Sequence, residues 1–396
     1  MNTYSNIIIH PLSSATQEKQ FLLSYNGLYY EANLPIVELI KELQKYPTEE
    51  EAISSYILQK NEKYTLEQIR EIINKFITPL FANKEKKRTF LYEKELFTAS
   101  AIDRFSDMSS FLFNKVYLCT TFILALVLEC YFFFNTNDIL VFNNKVNVYT
   151  VLGLFIFMLA SSFFHELGHA AACKHFGIKH GGIGFGLYLN FPVLYTDVTE
   201  VWKLKRKERC VVNIAGIYFQ SFCLIGLLTG FFLTENGMLR YMILIMNLGF
   251  LMTLNPFFKF DGYWIASDLL GVPNLRTRSM ELISYLYKRI CKRVVATKPY
   301  LLQLRMAEKL GLAIYSIVVN FFMGYYFFYI IPMFIYNFAC SFPAEMEQLI
   351  LYISNSMAPP FALLRNIGMQ LIFLGLIAYF LINLLRPIIK RYFRHA

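Results

Sequence analysis

The stretch VLGLFIFMLASSFFHELGHA (residues 151–170) is a long apolar run that ends in His165-Glu166-Leu167-Gly168-His169. As a helix, the run is long enough to cross the hydrocarbon of a bilayer. Helical residues i and i+4 project from one face, so His165 and His169 are placed to grip one tetrahedral zinc ion. Glu166, beside them, is placed to take a proton from water and deliver it to a leaving amine. The stretch therefore predicts a catalytic metal site at the end of a membrane helix.

The same five residues also suit a solvent-facing polar turn at the end of a helix. Ionisable groups near membrane depth cost free energy, usually face the bundle interior and mark functional sites, which favours the metal interpretation. Of the other histidines, His175 and His180 lie just beyond the predicted span and are expected at the membrane interface, whereas His10 and His395 lie near the termini.

Bulk composition favours a membrane protein over a nucleic-acid-binding one. The 396 residues are 56% hydrophobic and only 17% charged, whereas a soluble domain carries about a quarter charged residues. The formal charge is +10, but many basic residues lie beside apolar runs, as at 203–207 and 288–293, which is typical of topology signals. We therefore expect no nucleic-acid partner. The seven cysteines are scattered without a CxxC pair, which predicts neither a disulfide framework nor a thiolate zinc site.

The membrane part is predicted to begin at residue 111 and to run to residue 396. Its candidate transmembrane helices lie near 115–134, 148–172, 210–233, 239–258, 310–336 and 366–386. The loops predicted on one side are rich in Lys and Arg, whereas those at 135–147, 234–238 and 337–365 hold only Lys145 and Arg365. The positive-inside rule then predicts that both termini are cytoplasmic. The predicted fold class is an α-helical integral membrane protein with about six transmembrane helices.

Residues 1–110 are predicted to form a small cytoplasmic α+β, winged-helix-like domain and a linker. Asn26-Gly27 separates two apolar strand patterns and suits the positive φ angles of a hairpin turn. Thr65 is a possible N-cap for the third of three helices. The expected core-facing residues of these helices are Leu34, Val37, Ile40 and Leu43, then Ala52, Tyr56 and Ile57, then Leu66, Ile69, Ile73 and Ile77. Residues 81–105 are interpreted as a charged linker into the membrane.

A catalytic zinc needs three protein ligands and one open position for water. No further histidine is well placed, so the third ligand should be a carboxylate on another helix. Asp261, in LNPFFKFDGY (254–263), follows the fourth predicted span and returns to the membrane face where the two histidines lie. Pro256 breaks the helix and Gly262 permits a turn, so Asp261 can point inward. An ordinary interfacial turn would suit the same residues, but the matching depth favours the metal role.

The pairing of His-Glu-x-x-His with Asn-Pro-x-x-x-x-Asp-Gly at 255–262 resembles the site-2 protease family of intramembrane zinc proteases, over roughly 145–270. The resemblance implies Zn²⁺ as the cofactor. It also implies these roles: zinc ligands His165, His169 and Asp261, general base Glu166, and Asn255 as a residue that positions the substrate backbone or the developing oxyanion.

Two features depart from the family's usual pattern. Asn213-Ile214-Ala215-Gly216 is similar to its small-residue helix, although Ile217 stands where a proline usually follows. There is also no sign of an inserted PDZ domain, so selection of substrates by such a domain is not expected.

The glycine-rich segment 181–186 lacks the Lys and the strand–helix context of a phosphate loop, so it does not predict nucleotide binding. With the residues up to 199 it suits a membrane-dipping hairpin whose strand edge would hold an extended substrate by β-addition. A glycine-rich interfacial loop is an equally good interpretation. Asp197 and Trp202 are interpreted as structural.

The unit at roughly 18–85 is similar to the PqqD-like leader-recognition domains of ribosomal peptide maturation, which bind a leader as an added strand. With a site-2-type core, the chain resembles proteases encoded with peptide-maturation and bacteriocin-export systems. This implies a peptidase of the bacterial inner membrane that cleaves a small ribosomally made peptide or its leader near the cytoplasmic face. The expected partners are that peptide, the lipid bilayer and a peptide exporter. A domain that only stabilises or docks the membrane part is the alternative.

Two other functions remain open. The same site would serve regulated intramembrane proteolysis of a membrane-anchored signalling protein. A non-proteolytic metal transporter or immunity protein would instead need polar residues along several spans, and the candidates are few: Glu129, Gln220, Asn247 and Asn320. The basic amphipathic stretch 281–309 is expected to anchor on anionic lipid or to dock a partner.

Overall fold

The structure is a computed structural model that describes residues 3–16, 19–81, 92–136, 148–188, 191–292 and 299–392. The predictions made for Lys145 and His395 lie outside the described residues. The chain divides into two compact units. The first comprises Met1–Thr89, Glu93–Gly186 and Leu194–Ser316; the second comprises Phe90–Tyr92, Leu187–Val193 and Ile317–Ala396. All the residues of the candidate metal centre belong to the first unit.

The N-terminal part is a three-stranded antiparallel sheet followed by short helices. In chain order its elements are β1 (Ile8–Leu12), β2 (Gln20–Tyr25), β3 (Leu28–Asn33), α1 (Leu34–Lys45), α2 (Glu49–Gln59), α3 (Leu66–Ile72), a π-helical turn (Ile73–Ile77) and α4 (Thr78–Phe81). The predicted hairpin is confirmed, because Asn26 and Gly27 join β2 to β3 with φ angles of 48° and 74°. β1 was not predicted, and it pairs with the other edge of β2.

The helices of this domain bury most of the predicted apolar positions. The side chain of Thr65 accepts from the Gln68 backbone N–H at 3.4 Å, and the side chain of Gln68 accepts from the Thr65 N–H at 3.1 Å, which confirms the predicted cap. Leu34 and Leu66 are 42% and 38% exposed, so their prediction as core residues was wrong. Each is the first residue of its helix, where the chain enters from solvent.

The rest of the chain is mainly helical, with a second small sheet. Its elements are β4 (Glu93–Phe97), α5 (Ala99–Ser109), α6 (Lys115–Asn135), α7 (Val148–His175), β5 (Ile183–Tyr188), β6 (Phe191–Thr196), α8 (Arg206–Thr234), α9 (Gly237–Thr253), α10 (Asp261–Leu270), α11 (Leu275–Ile290), α12 (Met306–Tyr325), α13 (Ile331–Ser354) and α14 (Phe361–Tyr392). The sheet order is β4-β5-β6, with β4 antiparallel to β5. The interpretation of 81–105 as a linker was therefore wrong for β4 and for the start of α5.

Among the described residues, five helices are long and apolar enough to cross a membrane, which indicates a multi-pass membrane protein. They are Lys115–Asn135, Tyr149–His175, Arg206–Thr234, Met306–Ser354 and Phe361–Tyr379. The fourth predicted span, near 239–258, corresponds to the shorter 17-residue apolar helix α9. The predicted loop at 337–365 was wrong over most of its length, because helix α13 continues to Ser354 and tolerates Pro343 in its interior. The segment up to Ser354 is rich in apolar and helix-forming residues, and its scarcity of basic residues does not oppose a helix.

Helix α8 packs against α6, α7, α9 and α10. Small residues make its contact with α7 close: Ala170, Ala171 and Ala172 of α7 are fully buried, as is Ala215 of α8. Side chains of this size let two helix backbones approach each other within a membrane. The two histidines of α7 are therefore held directly against α8.

Candidate metal centre

His165 and His169 lie one turn apart on α7 and turn their Nε2 atoms toward the same point, 3.1 Å from each other. Asp261, the first residue of α10, brings its Oδ2 atom to 3.0 Å from His165 Nε2 and 3.3 Å from His169 Nε2. Within the described part of the chain, these three form the one group of His, Cys, Asp or Glu side chains that converges closely enough to hold a metal ion.

The triangle formed by these three atoms has the dimensions of one face of a zinc tetrahedron. Ligands about 2.0–2.1 Å from a tetrahedral zinc lie about 3.3–3.4 Å from one another. The three edges measured here, 3.0, 3.1 and 3.3 Å, are close to that length. Two imidazoles and one carboxylate also leave the fourth corner open, as a catalytic zinc requires. The residues therefore fit the ion in both chemistry and size.

Hydrogen bonds on the far side of each ring determine which nitrogen carries the proton. His165 Nδ1 lies 3.0 Å from Gln220 Oε1, and His169 Nδ1 lies 2.8 Å from the Val212 carbonyl oxygen. Both partners only accept, so each Nδ1 donates and each Nε2 presents a lone pair. Asp261 Oδ2 is also buried without a hydrogen-bond donor among the described residues. The lone pairs of the two Nε2 atoms and of Asp261 Oδ2 thus face one another and repel, and a cation between them would relieve that repulsion.

Gln220 is itself oriented by α7. Its Nε2 donates to Ser161 Oγ at 2.8 Å and to the Ser161 carbonyl oxygen at 3.3 Å. The amide nitrogen is thereby occupied, and the amide oxygen is the atom left to face His165. In the sequence, Gln220 was a polar candidate for lining a transport path, and its contact with His165 was not predicted. The signal was its position inside an apolar span, where a polar side chain is costly.

The α8 backbone limits the position of the His165 ring. A Cβ atom added at Gly216 would lie 2.3 Å from both Nε2 and Cε1 of His165. Similarly, a Cβ atom at Gly168 would lie 2.4 Å from the Ala215 carbonyl oxygen. Only hydrogen fits at either position, so the imidazole lies directly on the helix backbone. The predicted small-residue segment of α8 is therefore the surface on which one proposed ligand rests.

A buried polar network holds α10, and with it Asp261. Asp268 Oδ1 lies 2.5 Å from Arg209 Nε, and Asp268 Oδ2 accepts from Asn213 Nδ2 at 2.8 Å. All three side chains are buried. Burial raises the pKa of the Asp268 carboxyl above its ordinary value, and the Arg209 guanidinium opposes that rise. The network joins α8 to α10 and so places Asp261 opposite the histidines.

The turn before α10 is tight. Asn255 Oδ1 accepts from the Phe257 N–H at 2.8 Å, and a Cβ atom at Gly262 would lie 2.1 Å from the Leu254 carbonyl oxygen. The observed contact of Asn255 is thus local, and its predicted role toward substrate stays a prediction.

Glu166 lies in the same turn of α7 as the histidines and is buried. Its backbone carbonyl accepts from Thr196 Oγ1 at 3.1 Å, which ties the end of β6 to the ligand helix. The remaining candidate histidines are elsewhere: His175 Nδ1 lies 3.0 Å from the Ser110 carbonyl, and His180 Nδ1 lies 2.8 Å from the Gly181 carbonyl. Neither histidine belongs to the converging group of the described residues.

The N-terminal segment also contacts the helices of the site. The Ala15 N–H donates to the Gly271 carbonyl at 3.0 Å, directly after α10, and Arg209 Nη2 donates to the Ser13 carbonyl at 3.3 Å. Arg209 therefore holds the ligand-bearing helix and the N-terminal segment at once.

The chain resembles a curated protein named "Putative peptide zinc metalloprotease protein YydH" from Bacillus subtilis (strain 168), with 28% identity over 119 residues. Those residues are 30% of this chain and 47% of the relative, so the chain matches about half the length of that relative. No family model matches the chain, and no solved structure matches it. The similarity to a protein of that name supports a zinc protease.

Proposed function

We propose that this protein is a membrane-embedded zinc endopeptidase of the site-2 type, with zinc held by His165, His169 and Asp261. The observation that carries the proposal is the convergence of two unprotonated imidazole nitrogens and one carboxylate oxygen at 3.0 to 3.3 Å, with no donor among them. The similarity to a protein named as a peptide zinc metalloprotease supports peptide hydrolysis as the reaction.

A zinc ion held by His165, His169 and Asp261 would supply Lewis acidity, which would polarise a peptide carbonyl and make water a better nucleophile near neutral pH. Glu166 accepts the proton of the attacking water and returns it to the leaving amine. Asn255 positions the substrate backbone beside the reacting carbonyl. An extended peptide added to the edge of Leu194–Thr196 would run toward Glu166, because Thr196 bonds to the Glu166 carbonyl.

The proposed substrate is a small ribosomally made peptide or its leader, cleaved near the cytoplasmic face of a bacterial inner membrane. Both termini are then cytoplasmic, and a peptide exporter is a partner. The support is the N-terminal sheet, whose edge strands β1 and β3 each offer a place for an added strand. A metal transporter is less well supported, because Gln220 is engaged by His165 and Ser161.

The test uses the purified full-length protein in detergent, with zinc content and peptide cleavage as separate measurements. Glu166→Gln should keep about one zinc per chain and lose cleavage of a fluorogenic peptide library. Asp261→Ala should lose zinc and cleavage together. The control is Asp103→Ala, which removes a half-exposed carboxylate paired with Lys174 and should change neither measurement.

Retained turnover in Glu166→Gln would remove Glu166 from the mechanism, and unchanged zinc in Asp261→Ala would place the third ligand elsewhere. The substrate class is tested by offering the wild type a short soluble peptide and a membrane-anchored reporter. Cleavage of the anchored reporter alone would replace peptide maturation by regulated intramembrane proteolysis.

A further inference from the structure

Helix α11 presents an apolar stripe that the described protein does not cover. Met280, Ile283, Tyr287 and Ile290 are all exposed, with Met280 at 56% and Ile290 at 79%. Their spacings of three, four and three residues place them on one side of the helix. Four large apolar side chains aligned in this way are costly to leave in water, at about 25 cal/mol per Å² of apolar surface.

The first turns of α11 pack against the protein itself, where Leu275 and Ser279 are buried. Arg278 lies 3.4 Å from Glu31 of the N-terminal domain, and its guanidinium lies 4.3 Å from the centre of the Tyr300 ring. The helix is thus fixed in rotation, and the apolar stripe points away from these contacts.

The charges on α11 identify what the stripe meets. Between residues 275 and 292 the one acidic residue is Glu281, which pairs with Arg278 at 2.9 Å. The last turn and the residues after it carry Lys288, Arg289 and Lys292, all exposed. No ion pair of these three lies within the described residues. An apolar stripe that ends in free cations matches the boundary of a bilayer with anionic headgroups.

The order of the helices places α11 where such a surface is available. The apolar helix α9 precedes it and the candidate span beginning at Met306 follows it, with the short helix α10 in between. A segment that connects two membrane helices starts and ends at the bilayer surface, so α11 is expected close to that surface. A soluble partner would have to compete with lipid that is already present.

We propose that α11 lies in the surface of an anionic bilayer, with Met280, Ile283, Tyr287 and Ile290 among the acyl chains and the three terminal cations on lipid phosphates. This inference is independent of the metal centre. It also gives Arg278 a function: through Glu31 it ties the N-terminal domain to a helix held at the membrane surface.

The test reconstitutes the full-length protein into vesicles whose acyl chains carry bromine, which quenches nearby tryptophan. Ile290→Trp adds a reporter on the apolar stripe, and Tyr285→Trp adds one at a partly exposed position on the other side of the same helix. The signal of the two native tryptophans is subtracted with the parent protein. We expect strong quenching for Ile290→Trp and little or none for Tyr285→Trp.

The lipid charge is tested by comparing phosphatidylcholine vesicles with vesicles that also contain phosphatidylglycerol. Quenching of Ile290→Trp should increase with phosphatidylglycerol, and adding Lys288→Gln, Arg289→Gln and Lys292→Gln should remove that increase. Each of the three charges is expected to change the ratio of membrane-bound to unbound α11 about fivefold. The thermal unfolding midpoint in detergent verifies that each variant is folded.

Three outcomes would overturn the proposal. If Ile290→Trp is unquenched and open to acrylamide, the stripe faces water. If it is unquenched by lipid but shielded from acrylamide, a second copy or another protein covers it. If it is quenched equally with and without phosphatidylglycerol, the surface is apolar but not selective for anionic lipid.

Discussion

His165 Nδ1 and Gln220 Oε1 lie 3.0 Å apart across the contact between α7 and α8. The contact fixes the protonated nitrogen of a proposed zinc ligand by means of an uncharged amide, which is less costly within a membrane than the carboxylate that often orients such a histidine. The position of that amide is set in turn by Ser161, one turn before His165 on the same helix.

Replacing Gln220 should therefore weaken zinc binding without removing a ligand. Gln220→Leu takes away the acceptor, so the His165 ring is free to turn and to protonate Nε2. We expect zinc affinity to fall about 10- to 100-fold, measured by competition with a chromophoric chelator. Gln220→Glu keeps an acceptor oxygen and should retain more affinity. Asn247→Leu, which removes an amide that donates within its own helix, is the matched control. Equal affinity in Gln220→Leu and wild type would contradict the role.

A methyl group at Gly216 should displace the His165 ring. Gly216→Ala introduces a Cβ atom 2.3 Å from Nε2 and Cε1 of His165, so the ring or the helix has to move. We expect loss of zinc from a protein that remains membrane-inserted, measured by metal analysis after size-exclusion chromatography. Gly226→Ala, on the same helix with nothing within 4 Å of the new atom, should bind zinc normally. Equal zinc content in the two variants would show that the contact does not constrain the site.

Removing the Asp268 carboxylate should destabilise the protein and loosen α10. Asp268→Ala leaves Arg209 buried without its partner, a change that typically costs about 3–5 kcal/mol in free energy of unfolding. We expect a lower thermal midpoint in detergent together with weaker zinc binding, since α10 carries Asp261. The half-exposed Asp103–Lys174 pair provides the comparison, and Asp103→Asn should leave the midpoint nearly unchanged. A normal midpoint in Asp268→Ala would refute the role of the network.

Loss of the cap at Thr65 should affect the N-terminal domain alone. Thr65→Ala removes both the acceptor of the Gln68 N–H and the reciprocal capping box. The expected cost is about 1 kcal/mol, visible as faster hydrogen exchange of the α3 amides in the full-length protein. Ser54→Ala removes a hydroxyl that bonds within α2 and should leave α3 unaffected. If zinc content also changed in Thr65→Ala, the domain and the metal centre would be coupled.

Local signals in the sequence predicted local structure well. The Asn26-Gly27 turn and the Thr65 cap depend on a few adjacent residues, and both are confirmed. The spacing of His165 and His169 likewise places both rings on one helical face. Their meeting with Asp261 required an argument about membrane depth. The structure brings the three side chains together, while their roles as zinc ligands stay a prediction.

Long-range pairing was beyond the reach of these signals. Strand β4 is exposed along its whole length and begins with three charged residues, and its partner β5 lies about 90 residues further along the chain. In the sequence, the charged segment around Glu93–Phe97 therefore resembled a linker, because nothing nearby indicated a partner strand. The bond between Gln220 and His165 was missed for the same reason, since it depends on which faces of two helices meet. The continuation of α13 to Ser354 was missed because residues 337–365 were treated as a loop with few basic residues.

The contact between Gly216 and His165 would restrict the route by which a substrate reaches a metal ion at the proposed site. The ring of His165 leaves no room for a methyl group against α8. Neither a water molecule nor a peptide can then approach from that side. Entry must come from the side away from α8, so a mutation that widens or narrows the passage there would alter which peptides are admitted while the three proposed ligands stay in place.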